Sequence, residues 1–397
     1  MLSDSGATGA AGTRLIHHPS VNSALFRLTS LNHVALRLNL ARALCASAVI
    51  TLPNYPYMKL ATLNDGTRDG QLLVVSRDLK SAHLADGIAP TLQAALDDWA
   101  FIGPQLDALY QQLNQDRAKR SVDFDPKLCM APLPRAYQWA SGVAHVHHLE
   151  LQHKARGAVP PDTLREQPLM QQAGADQLFG AHDELQLAHE AWGIDFEAGL
   201  AAITGDVAMG ATADQAHGQI RLLMLVNQTT LRNVAADEQG RGGALVQARP
   251  ATACSPVAIT PDELDDAWKG GKVHLPLRTT WNGKLVGQPH AGADNVFNFP
   301  QLIAHLSRTR ALRSGTVVAA GPVSNKDAKR GYSCIADKRC LEIISGGSAV
   351  TAYLRFDDSI RIDMLGADGK SLFGAIEQVL KPVLAGKARS SADALTA

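Results

Sequence analysis

Four histidines lie close together in the segment HVHHLELQH and are the first candidates for proton-transfer chemistry. They are His145, His147, His148 and His153. Imidazole suits the work of a general base because its unperturbed pKa is close to 6.5. Such a base also needs a carboxylate that orients its ring. The chain contains 14 histidines, and clustered histidines are often surface residues, so the cluster alone does not identify a base.

The segment IDFEAGLAAITG has the pattern of a strand and carries a second candidate, Glu197. Side chains two residues apart on a strand point the same way, so Glu197 and residue 199 share a face. A hard divalent cation takes several oxygen ligands, so a carboxylate on this face is a candidate ligand. Residue 199 is a glycine here. Glu197 is then either a cation ligand or a carboxylate that ends a strand near solvent or pairs with an arginine.

Several segments between Arg135 and Asn233 resemble the fumarylacetoacetate hydrolase family, which splits carbon-carbon bonds in β-diketo acids with a divalent metal. They are QWASGVAHVHHLEL, IDFEAGLAAITGDVAMGA and LVNQTTLRN. The resemblance extends over residues 58–381 through SPVAITPDELDDAW, VHLPL, FPQLIAHLSRTR, VSNKD and KSLFGAIEQV. It implies a mixed β-sandwich roll, association as a homodimer, a cytoplasmic location and a small acidic oxo acid as substrate, as in aromatic amino acid catabolism.

The resemblance also implies a Mg²⁺ or Ca²⁺ site, but most of its ligands are replaced in this chain. Family members have an aspartate after QWA, a Glu-x-Glu pair in the DFE strand and an aspartate after LVN. Those places hold Ser141, Glu197 with Gly199, and Gln228. The loss of three negative charges from the ligand set predicts that tight divalent binding is lost. Restoring all three acids is expected to recover metal binding if the site is otherwise intact.

By the same resemblance, His148 occupies the place of the histidine that activates the attacking water, at the family's separation from Ser141. The segment GYSCIADKR resembles the stretch whose acid pairs with this histidine, which nominates Asp337. Arg249, in VQARPATACSP, replaces a family lysine. A guanidinium stays charged and presents a planar fork. Arg249 is therefore expected either to bind a substrate carboxylate or to neutralise Glu197 in place of the metal.

Three further residues are candidates for substrate contacts. Arg156 lies in the KARG signature, Arg232 in the LRN signature, and Thr252 in the segment of Arg249. Arg156 is equally well explained as an exposed arginine, and Thr252 as an ordinary strand threonine. Other positions depart from the family: Gln171 replaces a tyrosine, and Pro322 replaces a threonine and removes a backbone donor.

Three functions remain open on the sequence alone. The first is hydrolysis of a carbon-carbon bond in a β-diketo or 2-oxo acid by water activated by His148. The second is a catalytically inactive paralogue that acts as a binding or oligomer partner, because the substitutions cluster at the site while scaffold motifs persist. The third is a metal-independent reaction on a related oxo acid, with Arg249 acting electrostatically.

Composition limits the partners. Apolar residues make up 46% of the 397 residues, and 38 basic side chains balance 38 acidic ones. Because these charges cancel, binding to nucleic acid or to an anionic membrane is not predicted. The sequence has no run of 18 apolar residues, so no membrane span is predicted either. The five cysteines form no C-x-x-C pair, which argues against a disulfide framework and for a reducing compartment.

The predicted architecture is α+β and rich in β structure. Residues 1–57 contain a single acid and are interpreted as a misassigned start or a targeting segment. Residues 58–132 are predicted to form a small α+β domain, residues 133–381 the hydrolase-like domain, and residues 382–397 a flexible tail. Predicted local features include a helix broken at Gly103-Pro104, a helix capped by Thr260, a helix in NFPQLIAHLSRTRAL and a hairpin in TTWNGKLVG.

Overall fold

The computed structural model describes residues 57–383. The segments 1–56 and 384–397 lie outside the described residues, and so do most of the predicted N-terminal extension and tail. The helices are α1 Leu92–Asp97, α2 Trp99–Asn114, α3 Val146–Ala155, α4 Ala213–His217, α5 Arg232–Gly240, α6 Phe299–Leu306 and α7 Ile335–Gly346. The strands are β1 Lys59–Leu63, β2 Gln71–Val75, β3 Ser81–Leu84, β4 Val122–Asp123, β5 Trp139–Gly142, β6 Met170–Ala173, β7 Leu185–Leu187, β8 Ile194–Asp195, β9 Ala198–Thr204, β10 Ile220–Gln228, β11 Thr230–Leu231, β12 Thr252–Cys254, β13 Val257–Ile259, β14 Trp268–Lys269, β15 Lys272–Val273, β16 Leu277–Trp281, β17 Lys284–Gly287, β18 Val317–Pro322, β19 Ser359–Met364 and β20 Ile376–Pro382.

The largest sheet has eleven strands in the order β4-β3-β2-β1-β13-β10-β9-β18-β5-β6, with β12 also paired to β10. Its pairs are antiparallel except for β18 with β5. Strand β1 pairs with β13 through Lys59 and Ile259, so strands from both predicted domains share this sheet. The division at residues 132 and 133 stays a prediction.

A second sheet has the order β17-β16-β19-β20-β7. Strand β10 of the large sheet has consecutive buried apolar residues. Their side chains lie alternately on its two faces, because successive strand side chains point in opposite directions. Leu222 belongs to a core that includes Leu106 of α2. Its neighbour Leu223 belongs to the other core, which includes Ile362 of the second sheet. The fold is therefore β-rich α+β, as predicted, with helices α1 and α2 on one face of the large sheet and the second sheet and further helices on the other.

Several local predictions are confirmed. The TTWNGKLVG hairpin turns at Asn282 and Gly283, which both have positive φ as a type I′ turn requires. Helix α6 begins after Asn298, whose side chain and that of Gln301 form a reciprocal capping box.

Two predictions about helices are wrong in detail. The break in the first helical stretch is at Asp98, between α1 and α2, and Pro104 lies inside α2. Pro104 is the sixth residue of α2, where it removes one helical hydrogen bond without ending the helix. The segment after Thr260 forms a 3₁₀ helix, Pro261–Ala267, and the Thr260 hydroxyl does not cap it. That hydroxyl accepts a hydrogen bond from the backbone N–H of Met58 instead.

Two further findings concern the predictions about membrane spans and disulfide bonds. Among residues 57–383, no helix is long and apolar enough to cross a bilayer. The four cysteines in this range are free thiols: Cys129, Cys254, Cys334 and Cys340.

Candidate active site

The imidazole of His148 and the carboxylate of Asp337 form a buried pair. Nδ1 of His148 donates to Oδ1 of Asp337 at 2.5 Å, and each side chain is 5% exposed. His148 lies in α3 and Asp337 in the first turn of α7, and these two helices pack against each other. With Nδ1 protonated, the Nε2 atom of His148 carries the lone pair that a general base needs.

Other polar groups hold this pair in place. The Ser324 hydroxyl lies 2.9 Å from Nδ1 of His147 and hydrogen-bonds to Asp337. The Ser324 carbonyl lies 3.1 Å from Nδ1 of the buried His145. Burial alone would raise the pKa of Asp337, but the charge and hydrogen bond of His148 and the Ser324 bond lower it to about 2. Of the four clustered histidines, His145 and His148 are therefore buried, and His147 and His153 are half-buried.

Two neighbours limit what His148 can bind. Nε2 of Gln152, one helical turn further along α3, lies 2.7 Å from Nε2 of His148 and donates to its lone pair. Sγ of Cys334 lies 3.8 Å from Nδ1. Ligand atoms of His148, Cys334 and Asp337 lie within 4.8 Å of one another, near enough for one cation. A cation there would take Nδ1 and so break the bond from His148 to Asp337.

Beside this pair, a row of residues runs across the ends of neighbouring strands in the large sheet. Glu197 and Gln228 exchange backbone hydrogen bonds of 3.1 and 3.0 Å, and Gln228 is the register partner of Thr252. On its other side, Glu197 forms a backbone bridge with Cys334. Directly opposite residues on neighbouring strands project to the same face. Glu197, Gln228 and Thr252 therefore face one space, with His148 next to its end.

The carboxylate of Glu197 is already engaged. Its Oε1 accepts from Nη2 of Arg232 at 2.7 Å and from the hydroxyl of Thr230 at 2.8 Å. Pairing of β11 with β8 brings both donors to Glu197. Burial alone would raise the pKa of Glu197, but the charges of Arg232, Arg249 and His148 and the Thr230 bond hold it below its ordinary value. Glu197 is thus an internal anion with cationic partners.

Asp195 connects this ion pair to the helix that carries Asp337. Its Oδ2 accepts from Nε of Arg232 at 2.8 Å, and its two oxygens accept from the backbone N–H groups of Ile335 and Ala336. These two N–H groups belong to the first residues of α7, the helix that carries Asp337 in its first turn. Burial raises the pKa of Asp195 to about 6 and the charge of Glu197 adds to this, against the lowering charge of Arg232.

Arg249 has few protein partners. Its Nη2 is 4.0 Å from Oε2 of Glu197, at the limit of an ion pair, and its side chain is only 11% exposed. Its Nε and Nη1 atoms are buried without a hydrogen-bond acceptor, and so is Nε2 of Gln228. Burial lowers the pKa of Arg249, which Glu197 opposes and Arg232 reinforces. A guanidinium still carries its proton at neutral pH.

The residues do not fit the divalent metal that the resemblance implies. Gly199 supplies no ligand, and a Cβ there would overlap the carbonyl oxygen of Gly321. Strand β18 has an irregular register between Ala319 and Pro322, and Gly321 has φ +73° within it. The irregularity presses the backbone of Gly321 against β9. Glu197 is bound to Arg232 and faces Arg249, so its carboxylate already has two cationic neighbours.

The remaining predicted residues are placed as follows. Ser141 is buried in β5, paired with Ala319 of β18 and Gln171 of β6. Thr252 is buried in β12 next to Gln228. Arg156 is an exposed residue that ends α3. Arg232 uses Nε and Nη2 for Asp195 and Glu197, so contact with a substrate stays a prediction for both arginines.

Four residues at the site were missed by the sequence reasoning: Asp195, Thr230, Gln152 and Ser324. Asp195 had a usable signal, because it stands two residues before Glu197 in a strand-like segment. Gln152 had one as well, since residues four apart share a helix face. Thr230 and Ser324 reach the site through pairing distant in sequence, which spacing does not reveal.

Two family models match the chain. The model described as fumarylacetoacetase N-terminal domain 2 covers residues 58–135. The model described as fumarylacetoacetate (FAA) hydrolase C-terminal covers residues 138–380. No curated protein gives a significant match.

Solved structures share the fold at low identity. Maleylpyruvate hydrolase from Sphingobium sp. SYK-6, solved with manganese(II) and pyruvate, is 15% identical with a TM-score of 0.54. The fumarylacetoacetate hydrolase of Exiguobacterium antarcticum is 17% identical, also with a TM-score of 0.54. Each alignment covers 82% of this chain and 100% of the other. At such identities the likeness shows the fold alone.

Proposed function

Because the chain belongs to the fumarylacetoacetate hydrolase family, we propose that it hydrolyses a carbon-carbon bond of a small β-diketo or 2-oxo acid. The buried bond between His148 and Asp337 is the observation that supports this proposal best. A buried carboxylate that orients an imidazole is the arrangement expected of a general base. This pair of side chains adjoins a row of buried polar residues that runs from Glu197 to Thr252.

The proposed reaction needs only water and the pair of His148 and Asp337 to balance its protons. Nε2 of His148 takes a proton from water as the hydroxide adds to a substrate carbonyl. The carbon-carbon bond then breaks, and its electron pair leaves as an enolate, which takes the proton back from His148. The products are a carboxylic acid and a ketone. Asp337 keeps Nδ1 protonated throughout and stabilises the imidazolium, as a carboxylate partner does in catalytic triads.

Before it can act, His148 must exchange its hydrogen bond with Gln152 for one with the attacking water. Gln152 is half-buried and lies on the same helix, so a change of its side-chain rotamer suffices. Arg249 supplies positive charge on the other side of the row, where an enolate oxygen needs stabilisation. No step of this proposal uses a divalent metal, since the residues present do not fit one.

A second candidate is a catalytically inactive paralogue that keeps the fold for binding or oligomerisation. The overlap of a residue-199 side chain with the Gly321 carbonyl favours it, because it removes one metal ligand and closes the space for another. Metal ions at such sites stabilise developing charge by several kcal/mol, so an unreplaced metal would mean a severe loss of rate.

Turnover by chelated protein distinguishes the two. Fumarylacetoacetate and maleylpyruvate serve as probes, and their loss is followed by absorbance with EDTA present. We expect hydrolysis by the unmodified chain and about a 10²- to 10⁴-fold fall in kcat for His148→Gln, the loss typical of a missing general base. His153→Gln is the matched control, because His153 is half-buried on the same helix but does not bond to Asp337.

Equal rates for His148→Gln and the unmodified chain would refute the assigned base. If the folded, unmodified chain turned over neither probe, the inactive paralogue would be favoured. We further propose that the protein is a homodimer in the cytoplasm, as family membership suggests. Sedimentation velocity tests the dimer directly, and a monomer at micromolar concentration would contradict it.

A further inference from the structure

The buried donors around Arg249 have no acceptors within the described chain. Nε and Nη1 of Arg249 and Nε2 of Gln228 all lack a hydrogen-bond partner. An unsatisfied buried donor is costly, and a charged one more so. Three such donors on neighbouring side chains are therefore unlike ordinary packing, and they indicate a place where an acceptor from outside the chain binds.

Backbone geometry places these donors where the inner strand β10 ends. Gln228 ends β10 and is paired on one side with Glu197 and on the other with Thr252. Arg249 lies three residues before Thr252 and approaches Oε2 of Glu197 from this side. The segment before it is fixed, because the carboxylate of Glu238 accepts from the N–H groups of residues 246–248. Arg249 is thus held in position by its own loop.

The charges of the neighbourhood decide what kind of ligand fits. Arg232 is committed to Asp195 and Glu197 through two short hydrogen bonds. At 4.0 Å, Arg249 is too far from Glu197 to donate a normal hydrogen bond to it. Its Nε and Nη1 atoms, part of a planar fork of N–H groups, are left to a ligand. A planar carboxylate matches such a fork with two parallel hydrogen bonds.

We propose that this chain has exchanged the family's cation site for an anion site, in which Arg249 and Gln228 bind a carboxylate without any metal. Glu197, no longer a metal ligand, holds Arg232 and faces the anion-binding guanidinium. The inference deepens the proposed function by naming how an oxo acid is held, and it rests on that function only for the identity of the natural ligand. Carboxylate binding itself needs no turnover.

The test is calorimetric titration of the full chain with oxalate and with pyruvate, in EDTA. We expect both to bind, and expect Arg249→Gln to weaken binding about tenfold or more, since charge-assisted bonds are lost. Arg249→Lys should be intermediate, because an ammonium keeps the charge but not the fork. Arg308→Gln removes an exposed arginine elsewhere and is expected to bind like the unmodified chain.

Glu197→Gln separates ligand binding from a purely structural role of Arg249. The amide still accepts from Arg232, but the negative charge facing Arg249 is gone. An anion site should then bind oxalate several times more tightly. If Arg249 only neutralised Glu197, this change would leave oxalate binding as it was.

Three results would overturn the proposal: no binding of either probe by the unmodified chain, undiminished binding by Arg249→Gln, or binding that appears only with added manganese. Far-ultraviolet circular dichroism establishes whether Arg249→Gln folds. If it does not, Gln228→Leu gives the answer, because it removes one donor and is expected to weaken binding several-fold. Because binding is measured without substrate turnover, failure of the proposed hydrolysis and failure of the anion site give different results.

Discussion

The carbonyl oxygen of Gly321 fills the space that a side chain at Gly199 would need. The two residues lie on neighbouring strands, β18 and β9, where the register is irregular. Gly199→Ala must therefore push β18 away or bend β9. We expect it to lower the free energy of unfolding by about 1–3 kcal/mol, the usual cost of overpacking, as measured by urea denaturation. Gly240→Ala is the control, because a Cβ there meets nothing within 4 Å; equal effects of the two would contradict the overlap.

The same overlap changes the expected result of restoring the family's acids. A variant with Ser141→Asp, Gly199→Glu and Gln228→Asp should not regain tight divalent binding, although the sequence alone predicted recovery in an intact site. The backbone of Gly321 has no rotamer to change, and Glu197 is held by Arg232. Calorimetry with magnesium and manganese checks this against the double variant that keeps Gly199. Micromolar binding by the triple variant would show that β18 yields easily.

Removal of Arg232 should be among the most destabilising single changes near the site. Its guanidinium bonds both Asp195 and Glu197, which are 0% and 2% exposed at their side chains. Arg232→Gln removes the guanidinium that hydrogen-bonds both buried carboxylates and leaves Asp195 without its cation, and breaking such a pair costs about 3–5 kcal/mol. Urea denaturation is the measurement. Arg241→Gln breaks an exposed pair with Asp237 and should cost less than about 1 kcal/mol; similar losses for both would refute the argument.

The sequence predicted much of this fold, for reasons that particular residues make plain. Asn298 and Gln301 form a capping box because the two residue types at that spacing satisfy helix donors locally. Asn282-Gly283 forms a hairpin because both accept positive φ. Local chemistry decides these elements. The prediction that Thr260 caps a helix was wrong, because its hydroxyl accepts a hydrogen bond from Met58, which lies 202 residues away along the chain.

The site was predictable as residues but not as geometry. The spacing of Glu197 and residue 199 was read correctly as a shared face, yet nothing in the sequence showed that Gly321 occupies it. The proposed alternatives for Arg249, a substrate carboxylate or Glu197, depended on a distance. The distance of 4.0 Å to Glu197 and the two buried donors without acceptors support the proposed external anion. Contacts between distant segments decided each of these points.

Acid should weaken the fold partly through Asp337. Its pKa is lowered from 3.8 to about 2, so the folded state favours the charged form. The stability this contributes is complete above about pH 4 and is lost as the pH falls through about 2, and a shift of this size is worth about 2 kcal/mol. In Asp337→Asn, the free energy of unfolding should fall less steeply between pH 4 and 2. Thermal denaturation across that range measures it, and Asp266→Asn, an exposed carboxylate, should keep the original slope.

Glu238 should control Arg249 from a distance. Its carboxylate accepts hydrogen bonds from the backbone N–H groups of Val246, Gln247 and Ala248. The Gln247 bond, first among these, lowers the pKa of Glu238. Glu238→Ala leaves those donors without a protein acceptor and frees the segment that leads to Arg249. We expect a loss of stability together with weaker oxalate binding.

A loss of stability alone would not show that Glu238 positions Arg249, so the control must destabilise the protein elsewhere. Asn298→Ala removes the cap of α6 and should cost about 0.5–2 kcal/mol while leaving oxalate affinity unchanged. Calorimetry on both variants, at a temperature where each remains folded, separates the effects. Equal oxalate affinity in Glu238→Ala and Asn298→Ala would mean that Arg249 keeps its position without the hydrogen bonds to Glu238. The strand pairing of Thr252 would then suffice to hold Arg249.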